Sequence, residues 1–258
     1  GNNLVYFEDS SAGMGYVEYI TIEDTTTDLY SHYTFDNTFN DSLSNNNITT
    51  YTNISFDSGV KKVGTHSIKV TASSAGIAWK PYGSTDIYST MTFTMCFWLR
   101  TTNGNTGILI RDLGVGRTMR QTVNNILQTR GSNNTWIELM EMPVEEWFHF
   151  AMVRDTNNNL KFYKNGVLTK TIIFGDYKMG LTNQYTLLGG SNGSSNWSEA
   201  LYGAYMDDLR FYTREVTEAQ LLYYVSYSNV EPSILSVTVE NGVFDLSGTP
   251  QRQITFSA

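Results

Sequence analysis

Glu138-Leu139-Met140-Glu141 and the nearby pair Glu145-Glu146 are the nearest candidates for paired acids, which glycoside cleavage needs roughly 5 to 10 Å apart across the bond. They read as decoration of a strand end and a turn, so catalysis is not expected. Recognition chemistry is better represented. In Ser191-Asn192-Gly193-Ser194-Ser195-Asn196-Trp197-Ser198 a large ring stands among small polar residues, and a sugar stacked on such a ring is oriented by neighbouring amides and hydroxyls. Trp197, Asn192 and Asn196 are therefore candidate ligand-binding residues. Trp136, after Ser132-Asn133-Asn134-Thr135, is a second candidate ring. The competing reading is that Trp197 folds back to cover a sheet edge.

His32, His66 and His149 share no ligand spacing with one another or with Cys96. Zinc needs clustered His, Cys or carboxylate ligands, so no zinc site is expected and His149 reads as structural. A single cysteine excludes an internal disulfide, and the setting of Cys96 between Met95 and Phe97 reads as a buried, inert strand residue. Asp207 and Asp208 are consecutive, and strand alternation sends them to opposite faces, Asp207 with Leu209 and Phe211 on the apolar side. A carboxylate there is costly unless paired or metal-bound, and hard oxygen ligands suit Ca²⁺. Asp208 has a ready partner in Arg210.

The charge balance narrows the partners. Lys and Arg number 17 against 25 Asp and Glu, a formal net charge of -8, whereas nucleic-acid affinity rests on clustered cations releasing counterions; no nucleic-acid partner is expected. No apolar run approaches the roughly 18 residues that span a bilayer, so no membrane insertion is expected either. Apolar residues at 40% and aromatics at 14% suffice for one large all-β domain, and charged residues at only 16% leave the surface to Asn, Ser, Thr and Gly. The sequence starts at Gly1 with no signal-peptide pattern before the first strand, which suggests a processed or cut chain. Asn-x-Ser/Thr triplets at Asn40, Asn47, Asn53, Asn133, Asn192 and Asn196 read as coincidence in so Asn-rich a chain, and matter only in a eukaryotic secretory protein.

Period-two alternation is clearest over 90–101, where Met91, Phe93, Met95, Phe97 and Leu99 share one face and Thr92, Thr94, Cys96 and Trp98 the other. Strands are also predicted over 76–82, 106–113, 135–142, 147–154, 160–164, 167–174 and 185–190. Asn165-Gly166 predicts a type I′ hairpin turn, because both residues accept positive φ. The one predicted helix runs from Thr217 to Tyr224, capped by Thr217. Ser236 to Leu246 reads as a second hairpin around Asn241-Gly242. Many short strands with regular turns point to a sandwich or jelly roll.

Four segments in order carry a family resemblance: His32-Tyr33-Thr34-Phe35-Asp36; Gly64-Thr65-His66-Ser67-Ile68-Lys69-Val70; Trp147-Phe148-His149-Phe150-Ala151-Met152-Val153 with its Asn-Gly hairpin; and Gly203-Ala204-Tyr205-Met206-Asp207-Asp208-Leu209-Arg210-Phe211-Tyr212. Together the chain resembles the laminin G-like jelly-roll domains of the concanavalin A-like lectin/glucanase superfamily. The resemblance implies a two-sheet antiparallel sandwich with one short helix near its C-terminal end, on a scaffold that hosts lectins, adhesion modules and some glycan-cleaving enzymes. It also implies that Asp207 and Asp36 approach one another and share a structural calcium. The catalytic version of the family resembles Glu-x-Asp-x-x-Glu on one strand, and neither acidic pair here has that spacing or its central Asp.

The resulting expectation is a jelly-roll domain over 30–228. Segment 1–29 is expected to pair with C-terminal strands, and 229–258 to form a hairpin or begin a further β module. The expected function is non-catalytic recognition or adhesion outside a cell or on a virus surface, with a glycan or glycoprotein partner. The rivals are an assembly module docking on other subunits of a surface fibre or capsid, and a glycoside hydrolase or lyase.

Overall fold

The computed structural model describes residues 28–80, 92–112, 118–131, 133–173, 185–191 and 197–227. The expected second hairpin, the segments 1–27 and 228–258, Met91, Asn192 and Asn196 lie outside them. The chain enters through β1 (Leu29–Tyr33), β2 (Thr50–Thr52), β3 (Ile54–Asp57), β4 (Ser67–Val70), β5 (Gly76–Trp79) and β6 (Phe93–Arg100). It continues through β7 (Gly107–Asp112), β8 (Thr118–Gln121), β9 (Ile126–Arg130), β10 (Trp136–Glu141), β11 (Trp147–Arg154) and β12 (Leu160–Lys164). Then follow β13 (Val167–Ile172), β14 (Tyr185–Leu187), β15 (Gly190–Ser191), β16 (Trp197–Ser198), β17 (Tyr205–Tyr212) and a single described helix, α1 (Glu218–Tyr227).

Two antiparallel sheets stack as a jelly-roll sandwich, as the alternation predicts. The large sheet runs β13-β12-β11-β6-β17-β4-β3, with β1 also on β17; the second runs β10-β9-β8-β7-β14-β5-β2. Phe93, Met95, Phe97 and Leu99 of β6 point between the sheets and are buried with Ile77, Leu109, Ile110, Phe150 and Leu187 in one core. The opposite face of β6 is buried as well. Cys96 packs with Ala151, Val153, Tyr212, Val216, Leu221 and Tyr224, a smaller cluster that α1 closes from outside.

Local chemistry explains the punctuation. Asn165 and Gly166 have φ of 52° and 79°, the left-handed pair of a type I′ turn, and Lys164 faces Val167 across it. Ahead of α1, the Gln220 N–H donates to Thr217 Oγ1 at 3.3 Å and the Thr217 N–H donates to Gln220 Oε1 at 3.0 Å, a capping box that satisfies both otherwise orphaned donors. The sequence reading missed β8 and β9, whose signal was present in the alternation of Met119 and Gln121, both buried, with Thr118 and Arg120.

Candidate functional site

The edge of β17 changes partner midway. Tyr205 and Met206 pair with β4, Leu209 to Tyr212 pair with β1, and the register against β6 shifts between Asp207 and Arg210. Asp208 at the shift has a φ of 52°, the geometry of a β-bulge. Alternation therefore fails there, and the assignment of Asp207 to the side of Leu209 and Phe211 is corrected. Asp207 pairs across the strand with Trp98, which stands opposite His149, on the outward side of the large sheet. Asp208 shares that side with Arg210.

Both carboxylates are buried and held differently. Asp208 accepts from Arg210 at 3.0 Å and meets His32 Nε2 at 2.6 Å. Burial raises its carboxyl, but the Arg210 charge and the His32 hydrogen bond outweigh it and hold the group well below the usual carboxylate range. Asp207 Oδ2 accepts the Lys62 and Val63 N–H groups at 2.8 and 3.0 Å, while Oδ1 has no hydrogen-bond partner. Burial pushes Asp207 up to about 7 against the pull of those amides.

Asp36 grips the far end of the same connection. Its Oδ1 accepts from the Thr65 and His66 N–H groups at 2.5 and 3.0 Å. A Cβ on Gly64 would come within 2.3 Å of Asp36 Oδ2, so glycine is required where Asp36 seats the loop. The two acids thus pin the β3–β4 connection at its middle and at its β4 end through backbone amides. Asp207 Oδ1 and Asp36 Oδ2 are the carboxylate oxygens left over, so a Ca²⁺ ion here would take the rest of its six to eight ligands from backbone carbonyls and water; no group of three acidic, His or Cys side chains suited to a metal occurs among the described residues.

His149 is buried against Trp98, ring centroids 5.3 Å apart, with Nδ1 unpartnered; burial lowers its pKa to about 4. Burial likewise pushes the Cys96 thiol up to about 12, which makes it a poor nucleophile.

A pocket of about 260 Å³ opens at the Trp79 end of β5. Asn46, Asn47, Thr49 and Thr50 line one side, with Ala78, Trp79 and Lys80 on the other and Tyr33 behind. The Tyr33 hydroxyl donates to the Asn46 carbonyl, and burial raises its pKa to about 12, so it stays a neutral donor. Trp79 Nε1 faces that hydroxyl without closing a hydrogen bond. Asn47 Oδ1 is engaged by the Asp41 N–H at 2.9 Å, and Asp41 in turn accepts the N–H groups of Leu43, Asn45 and Asn46. One buried carboxylate thus folds the loop that forms the pocket wall. Sequence reasoning missed this pocket because its residues come from segments that only the sheet brings together.

Trp197 begins β16, opposite Ser191 of β15. That hairpin departs from the Gly76 end of β5, where Gly189 passes so close to Ala75 that a Cβ would stand 1.9 Å from the Ala75 carbonyl oxygen. Trp136 on β10 is half-buried beneath Arg120, whose guanidinium stands 3.7 Å from the ring centroid. Glu138 lies exposed on β10 at 3.5 Å from Gln128 Nε2, and Glu141 is exposed three residues on.

A profile of the concanavalin A-like lectin/glucanases superfamily matches residues 71–222, more than half of the chain, and the chain belongs to that family. No curated protein matches it in sequence. Among solved structures, domain 4 of AbnA, a GH43 extracellular arabinanase from Geobacillus stearothermophilus, in complex with arabinotriose, is similar at 21% identity and TM-score 0.57, over 76% of this chain and 98% of that one. The binding domain of Paraclostridial Mosquitocidal Protein 1 gives 14% identity and TM-score 0.62, over 83% of this chain and 55% of its own. The ligand binding domain of botulinum neurotoxin serotype D, in complex with N-acetylneuraminic acid, gives 13% and 0.61, over 81% and 53%. The chain spans about half of each toxin domain, and at these identities the likeness is one of fold. That fold is lectin-like.

Proposed function

We propose that the chain is a non-catalytic glycan-binding module acting outside a cell or on a virus surface, with the pocket at the Trp79 end of β5 as its sugar seat. The observation that carries the reading is the lining: amides, hydroxyls, an indole edge and an ammonium group, with no carboxylate among the described residues. Its volume lies just below the roughly 300–1,000 Å³ of small-molecule sites, which suits a single sugar ring. The arabinotriose and N-acetylneuraminic acid in complex with two structural neighbours make a carbohydrate the natural first ligand to try. An acid pair across a bond, the requirement for hydrolysis, has no counterpart in this lining.

A glycan array tests the proposal. Wild type is expected to retain at least one glycan class, and Thr49→Trp, which plugs the pocket from an exposed position, is expected to lose it while melting unchanged. Signal that survives Thr49→Trp but is lost in Trp197→Ala moves the site to the β15–β16 hairpin. An empty array, or sugar turnover that depends on Glu138, defeats the module reading.

A further inference from the structure

The chain carries a net charge of -8, yet on one face the described residues carry more cations than acids. On the outward side of the second sheet, Ala78 of β5, Thr186 of β14 and Arg111 of β7 stand in register, with Thr118 of β8 next. One row away, Arg120 of β8 pairs with Gln128 of β9, Gln128 in turn stands opposite Glu138 of β10, and Arg130 of β9 stands opposite Trp136. Lys80 follows two residues after Ala78 and lines the pocket. Glu138 is the acid in these rows. Among the described residues none of Lys80, Arg111, Arg120 and Arg130 forms an ion pair.

Four cations without an ion pair among the described residues, gathered on one face of an acidic protein, favour an anion that lies among them. Two further groups on this face are unsatisfied: Arg120 Nε and the Thr186 hydroxyl are buried without hydrogen-bond partners. The Arg120 and Arg130 guanidinium groups stand 3.7 and 5.4 Å from the Trp136 ring centroid, which fixes their planes at the β10 edge. The rows cross every strand from β10 to β5, five steps of roughly 4.8 Å or about 24 Å in all. That length accommodates several units of a linear polymer laid across the strands.

We propose that this face binds an anionic glycan, a polysaccharide bearing carboxylate or sulfate groups, which runs from the sugar pocket across Arg111 towards Arg120, Arg130 and Trp136. The assignment rests on the glycan-binding reading above and adds the charge class and the track. Nucleic acid is the other linear polyanion; the short row of cations and the strongly acidic remainder of the chain favour the glycan.

The test uses the intact chain with size-matched neutral, uronic-acid and sulfated oligosaccharides, titrated at low and high salt. Acidic oligosaccharides are expected to bind best, to lose affinity as salt rises, and to bind about tenfold more weakly to Arg111→Gln/Arg120→Gln. Thermal melting of the double variant checks that it is folded, and Arg111→Lys, which keeps the charge, is expected to retain most of the affinity. Neutral sugars binding as well as acidic ones, without salt dependence, overturns the anionic track and leaves the module reading standing. Tighter binding of a single-stranded oligonucleotide than of any glycan also overturns it. Binding of no sugar at all defeats both.

Discussion

The outward faces of the two sheets treat charge in opposite ways. On the large sheet, Asp208 is buried and paired with the half-buried Arg210 and His32 at 2.6 to 3.0 Å, with α1 sealing the apolar cluster beside them. On the second sheet, Arg111, Arg120 and Arg130 carry no ion pair among the described residues, and Arg130 is exposed to water. A charge taken out of water must be compensated within the protein, whereas one at the surface can wait for a ligand. The first face therefore supports the fold, and the second is the one proposed to serve binding.

The sharpest way to break this contrast is to remove a cation from each face. Arg210→Met leaves buried Asp208 with His32 as its remaining partner and is expected to cost about 3 to 5 kcal/mol in urea unfolding. Adding Asp208→Leu to it should restore much of the loss, because the penalty belongs to the buried charge. Phe97→Ala, between the sheets, should cost a similar ~3 to 5 kcal/mol through cavity formation, with no such rescue. A loss under about 1 kcal/mol for Arg210→Met would mean that the face is wetter than its geometry implies. Tyr224→Phe is the milder version: it deletes the buried 2.7 Å bond between the Tyr212 and Tyr224 hydroxyls and should cost about 1 kcal/mol.

The large sheet was legible from sequence because its central strands alternate cleanly: Phe93 to Leu99 and Trp147 to Val153 leave one register that buries every large side chain. The Thr217 cap and the Asn165-Gly166 turn were equally readable, since each is decided within four residues. Asp207 was misread because a bulge breaks period two, and a bulge depends on β17 exchanging β4 for β1, which no local pattern records. The cationic face was hidden for a related reason. Arg111, Arg120 and Arg130 lie on three separate strands, and an average over the chain reports only the negative total. The pocket joins Asn46 to Lys80 across β2 and β5, and neither segment announces the other.

Asp207 sharpens the comparison from the large sheet's side through pH. Its folded pKa of about 7 lies above the ordinary 3.8, so the folded chain holds an extra proton between those values. Its stabilising contribution is full at low pH and is lost as pH rises through 7. His149, depressed from 6.5 to about 4, acts oppositely: the unfolded chain takes up its proton below 6.5, and stability falls as pH drops towards 4. Above pH 6.5 the Asp207 effect outweighs the remainder of the His149 effect, and the melting temperature is expected to fall between pH 6.5 and 8. Asp207→Asn should flatten that fall. Should millimolar calcium raise the wild-type melting temperature at pH 8, with EDTA reversing it and Asp207→Asn abolishing it, a cation and not a proton occupies the open Oδ1.

The smallest expected effect is the most informative for the second face. Arg111 is half-exposed on β7, stands in register with Thr186 and Thr118, and its guanidinium forms no ion pair among the described residues. Arg111→Gln keeps most of the packing of the side-chain stem and removes only the charge, so folding stability should change by no more than about 0.5 kcal/mol. Arg154→Gln provides the contrast, because Arg154 is buried and donates to Asn158 Oδ1 at 2.8 Å; breaking that bond at the turn before β12 should cost more, about 1 to 3 kcal/mol. Relief of repulsion from Arg120 and Arg130 should even make Arg111→Gln slightly stabilising at low salt, a gain that vanishes as salt is added. If Arg111→Gln instead costs as much as Arg154→Gln, Arg111 is part of the scaffold, and the contrast between a paired face and a waiting one fails at the strand where it was drawn most clearly.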